Sequence, residues 1–473
     1  MKRYLTIAVI ISILAGLGSC KKALTEKMHS AITPNNFYQT EQDAEAAVNG
    51  VFGPMQFQPY YQRGVYLVNE LSGDVFQPNN ANSDRVELYT GRYTPPNSTI
   101  NAWWTYSYLL IKNANDVIAY VPGIDMNVSR RNNLVGNAYF LRGLAYYDLA
   151  SVFGAVPLMI DGKNPILFPS RSSADSVFDQ SIKDLQYAEA NCLHMDELPS
   201  SEVGRATSEA ASGLLARVYL KKASMGGGAA DYQHALDECN KLITYSAGHS
   251  SVLSLSPSYA DIFNVDTKNG PESMFAVQFG DPPNNVNITN LMFDPESLGG
   301  FASFLPTTSF LNIYDVDDDR KAANLGTVDG GVTYISKYRD PGVSPGALGR
   351  NNWIVLRYAD VLMMQSEAKN ALNASDATKF DGINAIRTRA GLGAKLYSFA
   401  NTATADDFIN VLADERLREF CLEGMRRNDL IRLKKFQQVK AAEGYAIDDN
   451  HLVMPIPQVD RDVNTNLSQN KGY

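Results

Sequence analysis

The feature that most constrains the fold is a helical spacing of apolar residues that recurs along most of the chain. In the segment 206–223, "ATSEAASGLLARVYLKKA", alanine, leucine and valine fall at positions i, i+1, i+4, i+5 and i+8 from Ala210. This spacing places them on one stripe of an amphipathic α-helix. Thr207 or Ser208 can cap its first turn. The pattern predicts a fold built mainly from helices that pack through one face.

Similar helices occur in pairs. The segment 206–223 is followed by a glycine-rich turn, "SMGGGA", and by a second helical stretch, 230–243, that begins Asp-Tyr-x-x-Ala-Leu. This arrangement resembles one tetratricopeptide unit, although the pairs are too irregular for a regular solenoid. The fold is therefore expected to be mainly α, made of tetratricopeptide-like helix pairs. The other predicted helices are 41–52, 101–121, 137–153, 173–192, 357–372, 376–392, 405–424 and 425–439.

Composition excludes several classes of protein. Hydrophobic residues make up 45% and charged residues 20% of the 473 residues, which is typical of a globular chain. The net charge is −9, and no cluster of lysine and arginine is interleaved with aromatic residues, so nucleic-acid binding is not expected. The sequence contains no HExxH or P-loop motif, so neither an enzyme nor a cofactor is predicted.

The N-terminal segment has the layout of a signal peptide. A short positive start precedes an apolar run of about a dozen residues, which is too short to span a bilayer comfortably. The residues "LGSC" resemble a bacterial lipobox, in which Cys20 becomes the first residue of the mature chain and carries acyl groups. We therefore expect cleavage of residues 1–19 and one mature domain, 20–473. The alternative is ordinary cleavage, with Cys20 incidental.

The other three cysteines are Cys192, Cys239 and Cys421. Their number is odd and their spacing matches no zinc pattern. Because all three fall in helical segments, we expect them to be small buried apolar residues.

Two regions interrupt the helical pattern. Residues from about 246 to 353 are rich in proline, asparagine and glycine, and within them 271–280 predicts a short strand. The stretch 72–100 reads as a second long loop. Loops of this length in a compact domain are usually functional or disordered, and their aromatic content argues against disorder. The helical scaffold is thus expected mainly at 36–245 and 354–473.

Seven stretches in order resemble the SusD/RagB family of outer-membrane lipoproteins, over nearly the whole mature chain. They are "NNFYQTEQDAEAAVNGVF", "WWTYSYLLIKNAND", "RGLAYYDLASVFGAVPL", "GRATSEAASGLLARVYL", "VLRYADVLMMQSEAKNAL", "ERLREFCLEGMRRNDLIRL" and "PIPQVDRDVNTNLSQNKGY". The sequence departs from the family at Leu433, where tryptophan is common, and at Thr465 and Lys471, where proline is usual. These are scaffold positions, so the resemblance still implies a SusD-like fold.

The resemblance implies a function as well. Such proteins bind glycan fragments and act as a lid on a SusC-type TonB-dependent transporter, without catalysis. The implied location is the outer membrane, on the cell-surface side, although Lys21 and Lys22 are not followed by the acidic pair that many surface-displayed members carry. Three alternatives remain open: the same scaffold carrying peptide or another nutrient, a hydrolase, and a helical scaffold that only recruits partners.

Sugar binding by such a protein needs aromatic planes for the apolar ring faces and polar groups for the hydroxyls. The family's binding surface resembles a loop before the tryptophan-containing helix together with a loop from the irregular region. The predicted ligand-binding residues are Phe76, Asn79, Asn80, Tyr89, Arg92, Tyr93 and Trp103 in the first region and Asn287, Asn290, Phe293, Phe301 and Phe304 in the second. Gln77, Asn82, Asn284 and Asn285 lie nearby. The alternative for each ring is packing beneath its own loop, and Trp104 and Trp353 are expected in the core.

Two charged segments look structural. "DVDDDR" (315–320) opens like a calcium loop but has Arg320 where glycine is required, and the resemblance to the SusD/RagB family implies a structural ion pair for Arg320. The segment "ERLREFCLEGMRRNDLIRL" is expected to supply scaffold ion pairs. In it, Glu423 and Gly424 turn the chain and Asp429 pairs with a nearby arginine.

The lipid anchor leads to a first prediction. Cys20→Ala should release the protein from the membrane fraction while leaving it folded, because each buried CH₂ of an acyl chain contributes about 0.8 kcal/mol to membrane binding. Cell fractionation followed by immunoblotting measures the distribution. Cys192→Ala is the matched control and should stay with the membranes. Retention of Cys20→Ala in the membrane fraction would contradict the anchor.

Overall fold

The computed structural model describes residues 33–280 and 286–473. It is 57% helix and 6% strand, which confirms the prediction of a mainly helical fold with a few short strands. The predicted signal peptide, Cys20, Asn284 and Asn285 lie outside the described residues. Residues 40–473 form one compact unit, and the preceding unit is described only over 33–39.

The helices follow the predicted pattern closely. They are α1 Pro34–Phe37, α2 Glu41–Phe52, α3 Gly64–Asn69, α4 Ser83–Thr90, α5 Ser98–Tyr120, α6 Val128–Phe153, α7 Ala174–Asn191, α8 Ser208–Lys222, α9 Ala229–Gly248, α10 Thr289–Phe293, α11 Thr308–Leu311, α12 Arg320–Asn324, α13 Tyr358–Leu372, α14 Phe380–Arg389, α15 Ala405–Phe420, α16 Arg426–Arg432, α17 Phe436–Ala442 and α18 Gln458–Val463. As predicted, the Thr207 hydroxyl accepts a hydrogen bond from the backbone N–H of Ala210 and caps α8. A π-turn over 223–227 separates α8 from α9, where the glycines were expected to break the helix.

Small residues let neighbouring helices approach closely. The Ser181 hydroxyl of α7 donates a hydrogen bond to the carbonyl oxygen of Gly143 in α6, at 2.7 Å. A Cβ added to Gly143 would lie 2.9 Å from Cγ of Leu185. The glycine therefore sets the spacing between these two helices.

The strands form three antiparallel two-stranded ribbons within the described residues. β1 Phe76–Pro78 pairs with β3 Phe304–Pro306, β2 Ser273–Val277 pairs with β6 Trp353–Arg357, and β4 Leu325–Val328 pairs with β5 Val332–Ile335. The strand predicted within 271–280 is confirmed. The β1–β3 ribbon joins segments separated by more than 220 residues and was not predicted.

Two predictions of local structure were wrong. The stretch 72–100 is not a continuous loop, because it contains α4. The side chain of Asn82 caps the start of this helix by accepting a hydrogen bond from the N–H of Arg85, and the helix ends at Gly91, which has a left-handed conformation. The single helix predicted over 425–439 is two helices, α16 and α17. Lys434, at φ 57°, interrupts them because a residue in the left-handed region cannot continue an α-helix.

The core confirms several predictions about single residues. Cys192, Cys239 and Cys421 are free and buried. Trp104 and Trp353 are also buried.

Buried ion pairs join the irregular region to the C-terminal helices. Arg357, at the end of β6, is fully buried, and its guanidinium contacts Glu272 and Glu419 at 2.6 Å and Glu423 at 2.9 Å. Arg320 contacts Glu419 at 3.0 Å. We call these five side chains the Glu419 cluster. Burial disfavours a charged carboxylate, but the surrounding guanidinium groups outweigh it and hold the pKa of Glu419 well below its usual range.

The predicted structural role of the charged segments is confirmed. Arg320 pairs with Asp318 and with Glu415, each at 2.7 Å. Asp429 pairs with Arg416 and Arg432, each at 2.7 Å.

A further carboxylate ties the N-terminal part of the chain to α16. Glu70, directly after α3, accepts hydrogen bonds from the backbone N–H groups of Gly424 at 2.7 Å and Met425 at 2.9 Å. Its other oxygen has no hydrogen-bond partner among the described residues. Burial raises the pKa of Glu70 to about 7, and the N–H groups of residues 424–426 only partly oppose this rise.

Replacing the central arginine should be costly. Arg357→Met should lower the free energy of unfolding by about 3–5 kcal/mol, because it leaves buried carboxylates without their cation. Lys112→Met is the control: it removes an exposed pairing with Asp116 within α5 and should cost less than about 0.5 kcal/mol. Urea unfolding measures both, and similar losses in the two variants would contradict the importance of the cluster.

The raised pKa of Glu70 makes stability depend on pH. The folded protein keeps a proton on this carboxyl that the unfolded chain releases between pH 4.5 and about 7, so this group's contribution to stability falls as pH rises through that window. Glu70→Gln removes that titration. The free energy of unfolding of the variant, relative to that of the natural protein, should therefore be higher at pH 8 than at pH 5 by about 3 kcal/mol.

Urea unfolding at the two pH values measures this difference. Glu296→Gln, at an exposed carboxylate, is the matched control and should show no such dependence. If Glu70→Gln changed the free energy of unfolding equally at both pH values, burial would not raise the pKa of Glu70.

Candidate functional site

The two regions predicted to bind ligand are joined in one surface. β1 and β3 pair in the register Phe76 with Pro306 and Pro78 with Phe304. Beyond the ribbon, the backbone N–H of Asn79 donates to the carbonyl oxygen of Ser303 at 2.9 Å. The loops therefore form a single side of the molecule, held by backbone hydrogen bonds.

An aromatic cluster supports this ribbon from within. The rings of Phe76, Phe293 and Phe304 lie 5.1 Å apart, centroid to centroid, and Tyr66 lies 5.3 Å from Phe293. The three phenylalanines are at most 1% exposed. A ring without an exposed face cannot stack on a sugar, so the predicted ligand contact of these three is corrected to a packing role beneath their loops.

Three other predicted rings are also buried. Tyr89 packs edge-on against Tyr445, with centroids 5.5 Å apart. Tyr93 is 3% exposed, and Trp103 is fully buried with its ring 4.6 Å from that of Tyr60. Their predicted stacking on ligand is corrected for the same reason.

Two predicted asparagines are used inside the fold. Asn287 donates to the carbonyl oxygen of Asn351 at 2.9 Å and accepts from the N–H of Thr289 at 2.8 Å. The side-chain oxygen of Asn290 accepts from the N–H of Asp340 at 3.1 Å. Both residues are buried, so these contacts orient the irregular region and the predicted ligand contact is corrected.

Of the predicted ring residues, Phe301 alone is exposed, with 61% of its surface accessible. The segment 301–303 is held by three N–H groups that donate to the carbonyl oxygens of Leu291, Asp294 and Met292 at 2.8–2.9 Å. Ala302 adopts φ 44°, which is uncommon for a residue other than glycine. This bend is stabilised by those three bonds and leaves the ring of Phe301 outside the aromatic cluster.

Polar side chains of the first region contact the segment that carries Phe301. Asn79 is exposed, and its amide donates to the carbonyl oxygen of Ala302 at 2.9 Å. Asn80 is exposed beside it, and Gln77 is half-buried on β1. Arg85, in the first turn of α4, places its guanidinium 4.9 Å above the buried ring of Phe304, and burial lowers the pKa of Arg85. We define the shelf as the side chains of Gln77, Asn79, Asn80, Arg85 and Phe301.

Arg92 is exposed but belongs to another part of the surface. It follows Gly91 at the far end of α4, ten residues after the cap Asn82. Arg85 itself was missed by sequence reasoning. The asparagine cap at Asn82 and the glycine at position 91 were the signals that predict α4 and place Arg85 in its first turn.

The stem of the shelf is anchored to the C-terminal helices. Asp74, just before β1, forms a bidentate pair with Arg426 of α16 at 2.6 and 2.8 Å. The backbone N–H of Thr307 donates to the carbonyl oxygen of Val75 at 3.1 Å and continues the ribbon. Burial raises the pKa of Asp294, below the shelf, although Arg339 partly opposes the rise from 3.1 Å. The shelf thus lies on a rigid, charge-paired base.

The chemistry of the shelf is that of binding. It offers amide donors and acceptors, one guanidinium and one exposed aromatic ring. Within residues 33–280 and 286–473, no group of three histidine, cysteine, aspartate or glutamate side chains could hold a metal ion. No helix of that part is long and apolar enough to cross a membrane.

Comparison with known families covers most of the chain. Residues 23–220 match a family model described as "Starch-binding associating with outer membrane", and residues 308–473 match one described as "SusD family". The two matched segments lie on either side of the region that contains β2, α10 and β3.

Curated relatives align over long stretches. SusD-like protein P2 of Formosa agariphila is 26% identical over 524 aligned positions, which cover 100% of both chains. Starch-binding protein SusD of Bacteroides thetaiotaomicron is 24% identical over 411 positions, covering 71% of this chain and 72% of that protein.

Solved structures share the fold. A SusD superfamily protein of Parabacteroides distasonis superimposes with a TM-score of 0.80 at 24% identity, covering 94% of this chain and 100% of that one. A structure described as a laminarin-binding SusD-like protein gives a TM-score of 0.77 at 21% identity, covering 92% and 100%. The two family models, which match residues 23–220 and 308–473, show that the chain belongs to the SusD/RagB family.

Proposed function

We propose that this protein binds an oligosaccharide on the shelf and delivers it to a partner transporter in the outer membrane. The observation that carries the proposal is the exposed ring of Phe301, next to Ala302, whose carbonyl oxygen accepts from the amide of Asn79 where the two loop regions meet. A pyranose presents an apolar face to such a ring and directs its hydroxyls toward the amides.

The relatives support a sugar as cargo. A protein named for starch binding and another described as laminarin-binding share this fold. Their ligands differ, so the fold supports a carbohydrate class without selecting one sugar. The few exposed residues of the shelf are where the choice of glycan is made.

The protein acts by binding, without turnover of its cargo. Glycoside hydrolysis requires two carboxyl groups that flank the scissile bond. None of the five shelf side chains is an acid, and Asp294 beneath them is buried and paired with Arg339. We therefore assign the shelf a role in capture.

The proposed partner is a SusC-type TonB-dependent transporter, over which the protein acts as a lid. The family description that matches residues 23–220 places such proteins in association with the outer membrane. Acylation of Cys20 would hold the chain at the same membrane, on its outward face. The lid role is what the resemblance to the SusD/RagB family implies for this chain.

A second cargo class is favoured by one observation. The shelf has a single exposed aromatic ring and contains no tryptophan. One ring offers a sugar little area for stacking. Asparagine amides and an arginine can equally bind the backbone of a peptide. A peptide or another nutrient on the same shelf is therefore the alternative cargo.

Calorimetry with a panel of oligosaccharides tests the proposal. At least one glycan should bind, and Phe301→Ala should weaken its binding about three- to tenfold, because one stacking contact contributes about 0.5–1.5 kcal/mol. Phe399→Ala, at a phenylalanine that is 41% exposed far along the chain, is the matched control and should bind as the natural protein does.

The outcome separates the two cargo classes. Binding of a peptide library with no response to any glycan would replace sugar by peptide. Glycan binding that Phe301→Ala leaves unchanged would contradict the shelf as the site.

A further inference from the structure

A groove outside the shelf has the properties of a second ligand site. It consists of two adjoining cavities of about 420 and about 300 Å³, which share Val203, Arg205, Phe275 and Gln278 in their walls. It runs between α2, the segment 201–205 and the free edge of β2. Each cavity is as large as a typical small-molecule site. We propose that this groove binds a second carbohydrate chain.

The edge of β2 argues against a peptide strand in the groove. Among the residues that the structure describes, β2 pairs with β6 alone, and its other edge borders the groove. Exposed edges of this kind invite an added strand unless their carbonyl groups are occupied. Here the amide of Gln278 donates to the carbonyl oxygen of Ala276 at 2.9 Å, and that of Gln56 donates to the carbonyl oxygen of Gln278 at 2.8 Å. The edge is thus already occupied by side-chain amides.

Fixed amides line one wall, where the bonds between them leave the second N–H of the Asn269 amide to donate to a hydroxyl group. Asn269 and Gln278 form a reciprocal pair with bonds of 2.9 and 3.0 Å. The amide of Asn352 donates to both side-chain oxygens, at 3.0 and 2.9 Å. Because these partners hold the amides in place, they lose little conformational freedom when a hydroxyl binds.

The charges in the groove balance, which favours a neutral ligand. Arg130 contacts Glu45 and Glu202, each at 2.6 Å. Arg205 donates to the side-chain oxygen of Asn49 at 2.7 Å. Two arginines thus face two glutamates. An anionic or a cationic ligand would meet no excess of opposite charge.

The floor of the groove is apolar. The ring of Phe52 is half-buried, and the guanidinium of Arg205 lies 5.5 Å above it. Phe275 lies behind, 6.4 Å from Phe52. An apolar floor beneath a wall of amides matches a ligand that has both C–H faces and hydroxyls, which is the chemistry of a sugar.

The segment 201–205 crosses the groove and is held in place. Gly204 has φ 98°, and a Cβ on it would lie 2.5 Å from Cγ of Gln278, so only glycine fits there. The side chain of Val203 remains 47% exposed between the two cavities. A large residue at that position would fill the groove without entering the core.

Hydrogen–deuterium exchange with saturating hexasaccharides of glucose, xylose, mannose and galactose tests the inference. At least one sugar should slow amide exchange in 199–205 and 273–278. Val203→Trp should abolish that protection, whereas Val316→Trp, at a valine that is 95% exposed in the loop 315–320, should preserve it. Asn49→Ala, which removes the partner of Arg205 at an exposed position, should reduce the protection at least threefold.

Protection absent from both segments for every sugar would overturn the second site. Protection that persists unchanged in both Val203→Trp and Asn49→Ala would overturn it as well. Amide exchange in 77–85 and 299–303 reports separately on sugar binding at the shelf. A failure of the second site can therefore be distinguished from a failure of the proposed function.

Discussion

The structure depends on buried charge pairing around Glu419. This carboxylate lies on α15 and is fully buried, yet it remains ionised because Arg389, Arg357 and Arg320 surround it. Arg320 belongs to the irregular region and Arg357 ends β6, the strand that leaves it, whereas Glu419 and Glu423 belong to the C-terminal part of the scaffold. Once such charges are removed from water, each is tolerated only while its partners stay in place. The cluster therefore fixes where the irregular region lies on the helices.

The position of the shelf follows from that constraint. Its stem is attached to α16 through Glu70 and Asp74, which bind the backbone and the Arg426 side chain near the same helix start. Above this base, the β1–β3 ribbon and the aromatic cluster leave few side chains free to contact cargo. A rigid base with a small variable surface allows one fold to serve relatives that are named for different glycans.

The helical scaffold could be predicted because its information is local. Periodicity and caps define each helix within its own sequence, and α2 Glu41–Phe52 begins and ends where the pattern predicted. Ion pairs were also predicted at Arg320, from the resemblance to the family, and at Asp429, from the density of charges at helical spacing in its segment. The ion pairs of Arg357 were not predicted, because its three partners are separated from it by more than 60 residues in the sequence.

The site could be predicted in place but not in detail. The two loops were expected to act together, and the β1–β3 ribbon joins them. Which rings are buried depends on that pairing and on packing against Tyr66 and Trp353, which loop composition does not encode. Phe76 and Phe301 look alike in sequence, yet one is fully buried and the other is 61% exposed. The groove beside β2 was not predicted either, because its walls come from segments that are distant in the sequence.

The central claim is that a rigid, charge-paired scaffold presents the shelf as the place where cargo binds. A crystal structure of the protein with an oligosaccharide that binds in solution tests it most directly. The account predicts a sugar ring against the exposed face of Phe301, with hydroxyls bonded to Asn79 or Asn80. A bound sugar that leaves Phe301 and both asparagines uncontacted would contradict it.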